Sequence, residues 1–350
     1  MSSDHDRHCG PCDPCRPRCK KKKRKPKPSP CPDLATLCPA QGKFFEALNV
    51  FGDSVASGSP HVVVVDCTGC LTDDQLAAIT AEFGRETVFI IGDPTSGGPF
   101  VVRAFNPSEL NFSGTSALVA ATFIRERFLC GQGDTVNLNF VAGGGIVPVT
   151  FDADNDPSFT TPPATFGAII EGTDLDDLLA CFGLTTGDLI DPVAFPVQEV
   201  STGLPTVLIP VNSLAAVQNI VPDDQCQEDF VDAFNLAHPA TPILGIFEVF
   251  SVVPEVVSAE ANAHARVFGG ALGLTEDPIS AAPNSALAAY AVQTGLFGPA
   301  PISIAVEQGA EVGRPGLVAV SAEIAEGGIV TTVSGVVFSA ATGRFNVNCA

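Results

Sequence analysis

Two stretches of this chain are apolar on every side and built largely from small residues. Ala117–Ile124 reads Ala-Leu-Val-Ala-Ala-Thr-Phe-Ile, and Ser285–Val292 reads Ser-Ala-Leu-Ala-Ala-Tyr-Ala-Val. A helix on a protein surface shows a polar face, so a helix without one is buried all round. Each stretch follows an acid on a loop. Glu109 stands seven residues before Ser116-Ala117-Leu118, and Asp277 stands eight residues before Ser285-Ala286-Leu287. This echo predicts a duplicated α+β fold of two similar halves, each a barrel-like, mostly antiparallel sheet around a central helix.

The intervening segments supply the walls. Phe44–Val50 alternates, and His61-Val-Val-Val-Val-Asp66 reads as a buried strand. Thr72-Asp73-Asp74-Gln75 is a capping box, followed by Leu76, Ile79 and Phe83 at helical spacing and by Gly84 as a stop. Glu86–Ile91, Pro99–Phe105, 135–141 and 146–151 read as strands, with Thr115 or Ser116 capping the first apolar helix. Residues 152–164 are rich in Asp, Pro and Thr and read as a linker. A second set then begins: a short helix over Thr173–Phe182, strands at Thr206–Val211, Val249–Val257, Ala265–Phe268, 302–306, 317–323, 328–338 and 344–348, and the second apolar helix capped by Asn284 or Ser285. The expected division is a tail over 1–43, a first half over 44–160 and a second half over 161–350, with the last strands free to return to the first half.

Charge separates the tail from the body. Residues 1–28 hold ten Lys/Arg against three Asp/Glu, so the remainder carries −28 of a total of −21, and Lys43 is its only lysine. Such an acidic body excludes nucleic-acid binding, which needs clustered cations. No apolar run approaches a membrane span, and the hydrophilic N-terminus lacks a signal region, so the expected localisation is cytoplasmic.

The tail has no periodic apolar pattern and reads as disordered in isolation. Cys9, Cys12, Cys15 and Cys19 have the C-x2-C-x2-C-x3-C spacing of a bacterial ferredoxin run, but Lys20 stands in place of its Pro and there is no second run. Zinc or another soft metal, with His5 and His8 close by, disulfides between chains, and a plain thiol-rich tail all stay open. Lys20–Lys25 is a basic arm. The cysteines of the body are scattered and read as small buried apolar residues.

From Phe44 onward the chain resembles the PhzF-like isomerase family, the phenazine-biosynthesis branch of the diaminopimelate-epimerase fold. Ala47-Leu48-Asn49-Val50-Phe51 with Ser57-Gly58-Ser59-Pro60 is similar to its V-D-V-F and S-G-N-P start. Glu86-Thr87-Val88-Phe89 is similar to its E-T-x-F strand, and Arg103-Ala104-Phe105 with Glu109–Gly114 to its R-x-F-T-P and E-L-x-F-x-G-H-P segment. Gly203-Leu204-Pro205, Arg266-Val267-Phe268, Glu276-Asp277-Pro278 and Gln308–Pro315 continue the series.

The resemblance implies an enzyme without a cofactor in the body, often a homodimer or higher assembly, that moves a proton on a small carboxylate-bearing substrate. It places the catalytic acids on Glu109 and Asp277. Amide donors for the substrate carboxylate would come from Ser113, Gly114 and Thr115 on one side and from Ser280, Ala281 and Ala282 on the other, at the positive ends of the central helices. The chain departs from the pattern at the site. G-H-P is Gly114-Thr115-Ser116, E-D-P-A-T-G-S-A has Ala281 and Ala282 where the family has Gly and Ser, and Pro283 lacks an N–H. No His lies in the strand region after the first central helix. These departures, with the Cys/Lys-rich tail, support an alternative: a structural or assembly protein of a spore, virion or similar shell, built on the same fold.

Overall fold

The β-branched runs become strands, and the Gly- and Pro-rich breaks become turns. In the computed structural model, which describes residues 33–347, eighteen strands join one sheet network with seven α-helices inside or against it. Lys43–Val50 pairs antiparallel with Ser59–Asp66, which runs parallel to Thr87–Ile91. That strand is antiparallel to Phe100–Asn106, which folds back on Ser108–Leu110 and runs parallel to Thr135–Phe140. Gly145–Phe151 and Pro157–Thr160 follow antiparallel. The same order of pairings recurs through Gln198–Ser201, Pro205–Pro210, Phe247–Val252, Ala263–Gly269, Leu274–Asp277, Ile302–Gln308, Gly316–Ala325 and Gly328–Ser334.

The two series are stitched together. Gly328–Ser334 pairs with Pro157–Thr160, and Val337–Phe345 returns to pair with Lys43–Val50. The described residues therefore form one compact unit, and the stretch read as a linker contains the strand Pro157–Thr160.

The apolar helices are enclosed as their composition requires. Gly114–Arg127 is buried from Gly114 to Ile124, and Ala281–Thr294 is buried along most of its length through Ala291. Inward-facing Val63, Val65, Val88, Ile90, Val102 and Ala104 share a core with the first helix, and Leu208, Phe250, Ala263 and Val320 with the second. Helix Asp73–Phe83 covers the outer residues Val62, Val64, Phe89 and Phe105. Helices Gly172–Ala180, Leu214–Gln218 and Asp224–Ala237 cover Val207, Ile209, Phe247 and Val249. Strands covered on both faces have no solvent side, which is why Val62–Val65 is an unbroken apolar run rather than an alternating one.

The caps differ from expectation. Thr72 and Gln75 form the expected capping box and Gly84 closes that helix at φ 62°. The first central helix is capped by Ser113, not Thr115 or Ser116, and the second starts at Ala281 after Ser280. Pro283 fits inside that first turn because its missing N–H has no intrahelical partner there to lose. The body cysteines are also not simple apolar residues. Cys38–Cys67 and Cys181–Cys226 are disulfides, and Cys70 and Cys130 are disulfide-bonded too. Among the described residues no helix is long and apolar enough to cross a membrane. The tail expectations, including the metal set Cys9, Cys12, Cys15 and Cys19, lie outside the described residues.

Candidate functional site

The N-termini of the two central helices meet. A Cβ on Gly114 would lie 3.1 Å from the Cβ of Ala281 and 2.5 Å from the Phe159 ring, so only glycine lets the helix ends approach this closely. The segments Ser113-Gly114-Thr115 and Ser280-Ala281-Ala282 are thus brought together. Each 14-residue helix points its positive end and first-turn amides toward the same place.

Two carboxyl groups are anchored at these ends. Glu86, just before strand Thr87–Ile91, accepts hydrogen bonds at Oε1 from the hydroxyls of Ser113 and Ser116, the second at 2.6 Å. Asp277 accepts from the Ser280 hydroxyl and from the Ile279 N–H at 3.2 Å. Their environments push them apart. Burial works to raise Glu86, but the charge and proximity of His61 and the two serine hydroxyls outweigh it and hold Glu86 below the usual carboxylate range. Burial raises Asp277, and the negative charge of Glu86 raises it further against the opposing bond from Ser280.

Glu109 is placed elsewhere. Arg103 grips it through Nε–H to Oε1 at 2.6 Å and Nη2–H to Oε2 at 2.5 Å, while Nη1 reaches Asp73 at 2.7 Å. The second series repeats this clasp, with Arg266 bonded to Glu276 at 3.0 and 2.7 Å. Each guanidinium also lies over a phenylalanine, Phe105 at 5.2 Å and Phe268 at 5.0 Å. Strand register explains the difference. Leu110 is opposite Ala104, and Asp277 is opposite Val267, so the counterpart of Glu109 is Glu276 and the counterpart of Asp277 is Leu110. The acid echo pairs Glu109 with Asp277, one residue away from the pairing the strands make, and a one-residue slip turns a side chain to the opposite face.

Two further residues complete the site. Gln308 donates from Nε2 to the Asp277 carbonyl at 2.8 Å, and its Oε1 accepts from Asn284 Nδ2 at 2.8 Å and from the Ser280 N–H at 3.4 Å. Gly309 follows at φ +85°, where a Cβ would lie 2.3 Å from the Pro278 carbonyl oxygen. Gln308 also lines a groove of about 1030 Å³, together with Phe51, Ser57, His264, Glu307 and Gly316. The other residue is His61. No His lies in the strand region directly after the first central helix, yet the strand Ser59–Asp66 carries His61 Nε2 to 3.4 Å from Glu86 Oε1. Glu86 is visible in the sequence as the first residue of Glu86-Thr87-Val88-Phe89, a segment that by itself reads only as a strand. Among the described residues no group of three or more His, Cys, Asp or Glu is arranged to hold a metal ion.

Comparison with known proteins places this arrangement. The family model for phenazine biosynthesis-like proteins, PhzC-PhzF, matches residues 48–337. An uncharacterised isomerase of Clostridium acetobutylicum is 28% identical over 275 residues, 77% of this chain and 86% of the relative. The trans-2,3-dihydro-3-hydroxyanthranilate isomerase of Pseudomonas chlororaphis is 26% identical over 287 residues, 79% of this chain and 89% of the relative. The crystal structure of a PhzF-family phenazine biosynthesis protein from Bacillus anthracis superposes with a TM-score of 0.75 at 20% identity, covering 88% of this chain and all of that one.

Proposed function

Because this chain belongs to the PhzC-PhzF family of phenazine biosynthesis-like proteins, whose relatives include named isomerases, we propose that it moves a proton on a small carboxylate-bearing substrate, with Glu86 as general base and Asp277 as general acid. One observation carries the reading: two carboxyl groups, whose surroundings push their proton affinities in opposite directions, stand at two facing helix ends. A pair of carboxyls with separated affinities for a proton is what acid/base work at a carbon atom requires. Ionised Glu86 takes the proton from the substrate carbon, and protonated Asp277 returns a proton at a second atom. Glu86 then gives its proton to solvent and Asp277 takes one from solvent, which restores the starting pair. The amides of Gly114, Thr115, Ala281 and Ala282 are the donors for the substrate carboxylate, since the body has one lysine and few arginines. The two series of strands serve in this reading as similar halves, each carrying one helix end to the site. The chemistry is complete with these side chains and amides.

The test is deuterium exchange from solvent into small carboxylates, with dihydro-hydroxyanthranilate as the first candidate because a relative is named for it. Glu86→Gln and Asp277→Asn should each slow exchange about 10²–10⁴-fold. Glu109→Gln, which loosens only the Arg103 clasp, should leave it within a few-fold. Exchange that survives Glu86→Gln and vanishes in Glu109→Gln would return the catalytic role to Glu109.

A second reading, an assembly protein of a spore, virion or similar shell, suits an oxidising setting, although Cys38–Cys67 and Cys181–Cys226 each close within one chain. All six cysteines among the described residues are disulfide-bonded, and such bonds persist in oxidising surroundings rather than in a reducing cytoplasm.

A further inference from the structure

A third titratable side chain stands beside Glu86, and the acid/base reading gives it no task. His61 is 2% exposed, on the strand next to the one that Glu86 precedes. Its Nδ1 lies 3.2 Å from the Ser59 carbonyl oxygen. A carbonyl only accepts, so Nδ1 carries a proton, and Nε2 is the nitrogen left to face Glu86 Oε1 at 3.4 Å, an ion-pair distance at which it forms no hydrogen bond among the described residues. Across the same site stands Asp277. Other charges adjoin the site in the chain: Glu276 precedes Asp277, and Glu307 precedes Gln308. Arg314 is tied by Nε and Nη2 to the carbonyls of Gly58 and Ser57, just before the strand of His61, and Arg85 adjoins Glu86.

Resting on the isomerase reading above, we propose that His61 is the positioning residue that divides protons between the two carboxyls. As an imidazolium it pairs with Glu86 and keeps it ionised, and through that negative charge it keeps the proton on Asp277. The cluster is then neutral: one positive ring, one carboxylate and one carboxylic acid. Hydroxyl donors from Ser113 and Ser116 favour the carboxylate as well, but they carry no charge to offset its burial. Without His61 the two carboxyls become competitors for one proton, and the titration belongs to the pair rather than to either residue. The electrostatics agree with the geometry. Burial pulls His61 downward, yet the Glu86 charge and contact carry it above its ordinary value.

The test needs no substrate, so it fails or succeeds independently of the isomerase reading. Carboxyl carbon-13 and imidazole nitrogen-15 NMR titrations would be recorded on the free full-length protein and on folded His61→Gln. In the unaltered protein both ring nitrogens of His61 should be protonated at neutral pH. In His61→Gln the Glu86 midpoint should rise by about one pH unit or more. If that variant does not fold, Glu86→Gln reads the same coupling from the other side, because linkage is reciprocal: the His61 midpoint should fall by a similar amount. A neutral His61 ring at pH 7, or a Glu86 midpoint unmoved in folded His61→Gln, overturns the proposal. Coupling without deuterium exchange in any carboxylate sinks the isomerase reading alone. Exchange without coupling sinks this one alone.

Discussion

Glu248 is a buried carboxyl without a hydrogen-bond partner among the described residues. It is fully buried on strand Phe247–Val252, between the cross-strand neighbours Leu208 and Val267, and both carboxyl oxygens lack a hydrogen bond among the described residues. Burial alone pushes its pKa up to about 8 from an ordinary 4.5. The folded protein therefore holds a proton that the unfolded chain releases above 4.5. The stability this proton represents is fully present below pH 4.5 and is lost as pH rises toward 8, a fall of about 3–6 kcal/mol. Glu248→Leu, close in volume and without the charge, should flatten this slope and raise stability at pH 9. Urea unfolding at several pH values measures it, and an unchanged slope would show that Glu248 finds a partner. At this scale the sequence is least legible. Glu86 and Glu109 are both acids beside strands, and only the register of Ser108–Leu110 against Phe100–Asn106 tells which faces an arginine. His61 is 25 residues from Glu86 in the chain and meets it only because Ser59–Asp66 and Thr87–Ile91 run parallel.

The two central helices set the limit at the scale of elements. Gly114 is where one helix start passes Ala281 and the Phe159 ring. Gly114→Ala should cost about 1–3 kcal/mol through overpacking, and should lower exchange activity by moving the Ser113 and Thr115 ends of the site. Ala281→Gly on the facing helix should restore part of the loss. Chemical denaturation of the two single variants and the double variant checks this, and strict additivity of the two changes would contradict the contact. The helices themselves were legible, because a run without a polar face has one solution. Their starts were not. Ser113 and Ser280 are caps followed by small residues that suit either a loop or a helix. The stretch 152–164 was misread for a related reason. Asp152 accepts from the N–H groups of Asp154 and Asp156 in a tight turn, and that turn chemistry masks the short strand Pro157–Thr160 directly after it.

For the whole molecule, the order of strand pairings from Lys43–Val50 to Pro157–Thr160 recurs from Gln198–Ser201 to Gly328–Ser334, and in that register the counterpart of Glu109 is Glu276 rather than Asp277. The pattern of cysteine bonding was not visible, since disulfide partners depend on tertiary proximity: Cys181 and Cys226 lie 45 residues apart in sequence. This is the scale at which the assembly reading is tested. Full-length protein run on gels with and without reductant should show reductant-sensitive multimers, lost when Cys9, Cys12, Cys15 and Cys19 are changed to Ser. A protein of one size in every lane removes that reading and leaves the enzyme.

The pairing of Val337–Phe345 with Lys43–Val50 has a consequence for the nascent chain. The first long strand to leave the ribosome has its outer partner among the last, so one edge of Lys43–Val50 stays open while nearly three hundred residues are made. An open edge offers its amides and carbonyls to any passing strand. The acidic character of the body is then useful before folding is complete, because mutual repulsion keeps unfinished chains apart until their own last strand arrives to close the seam.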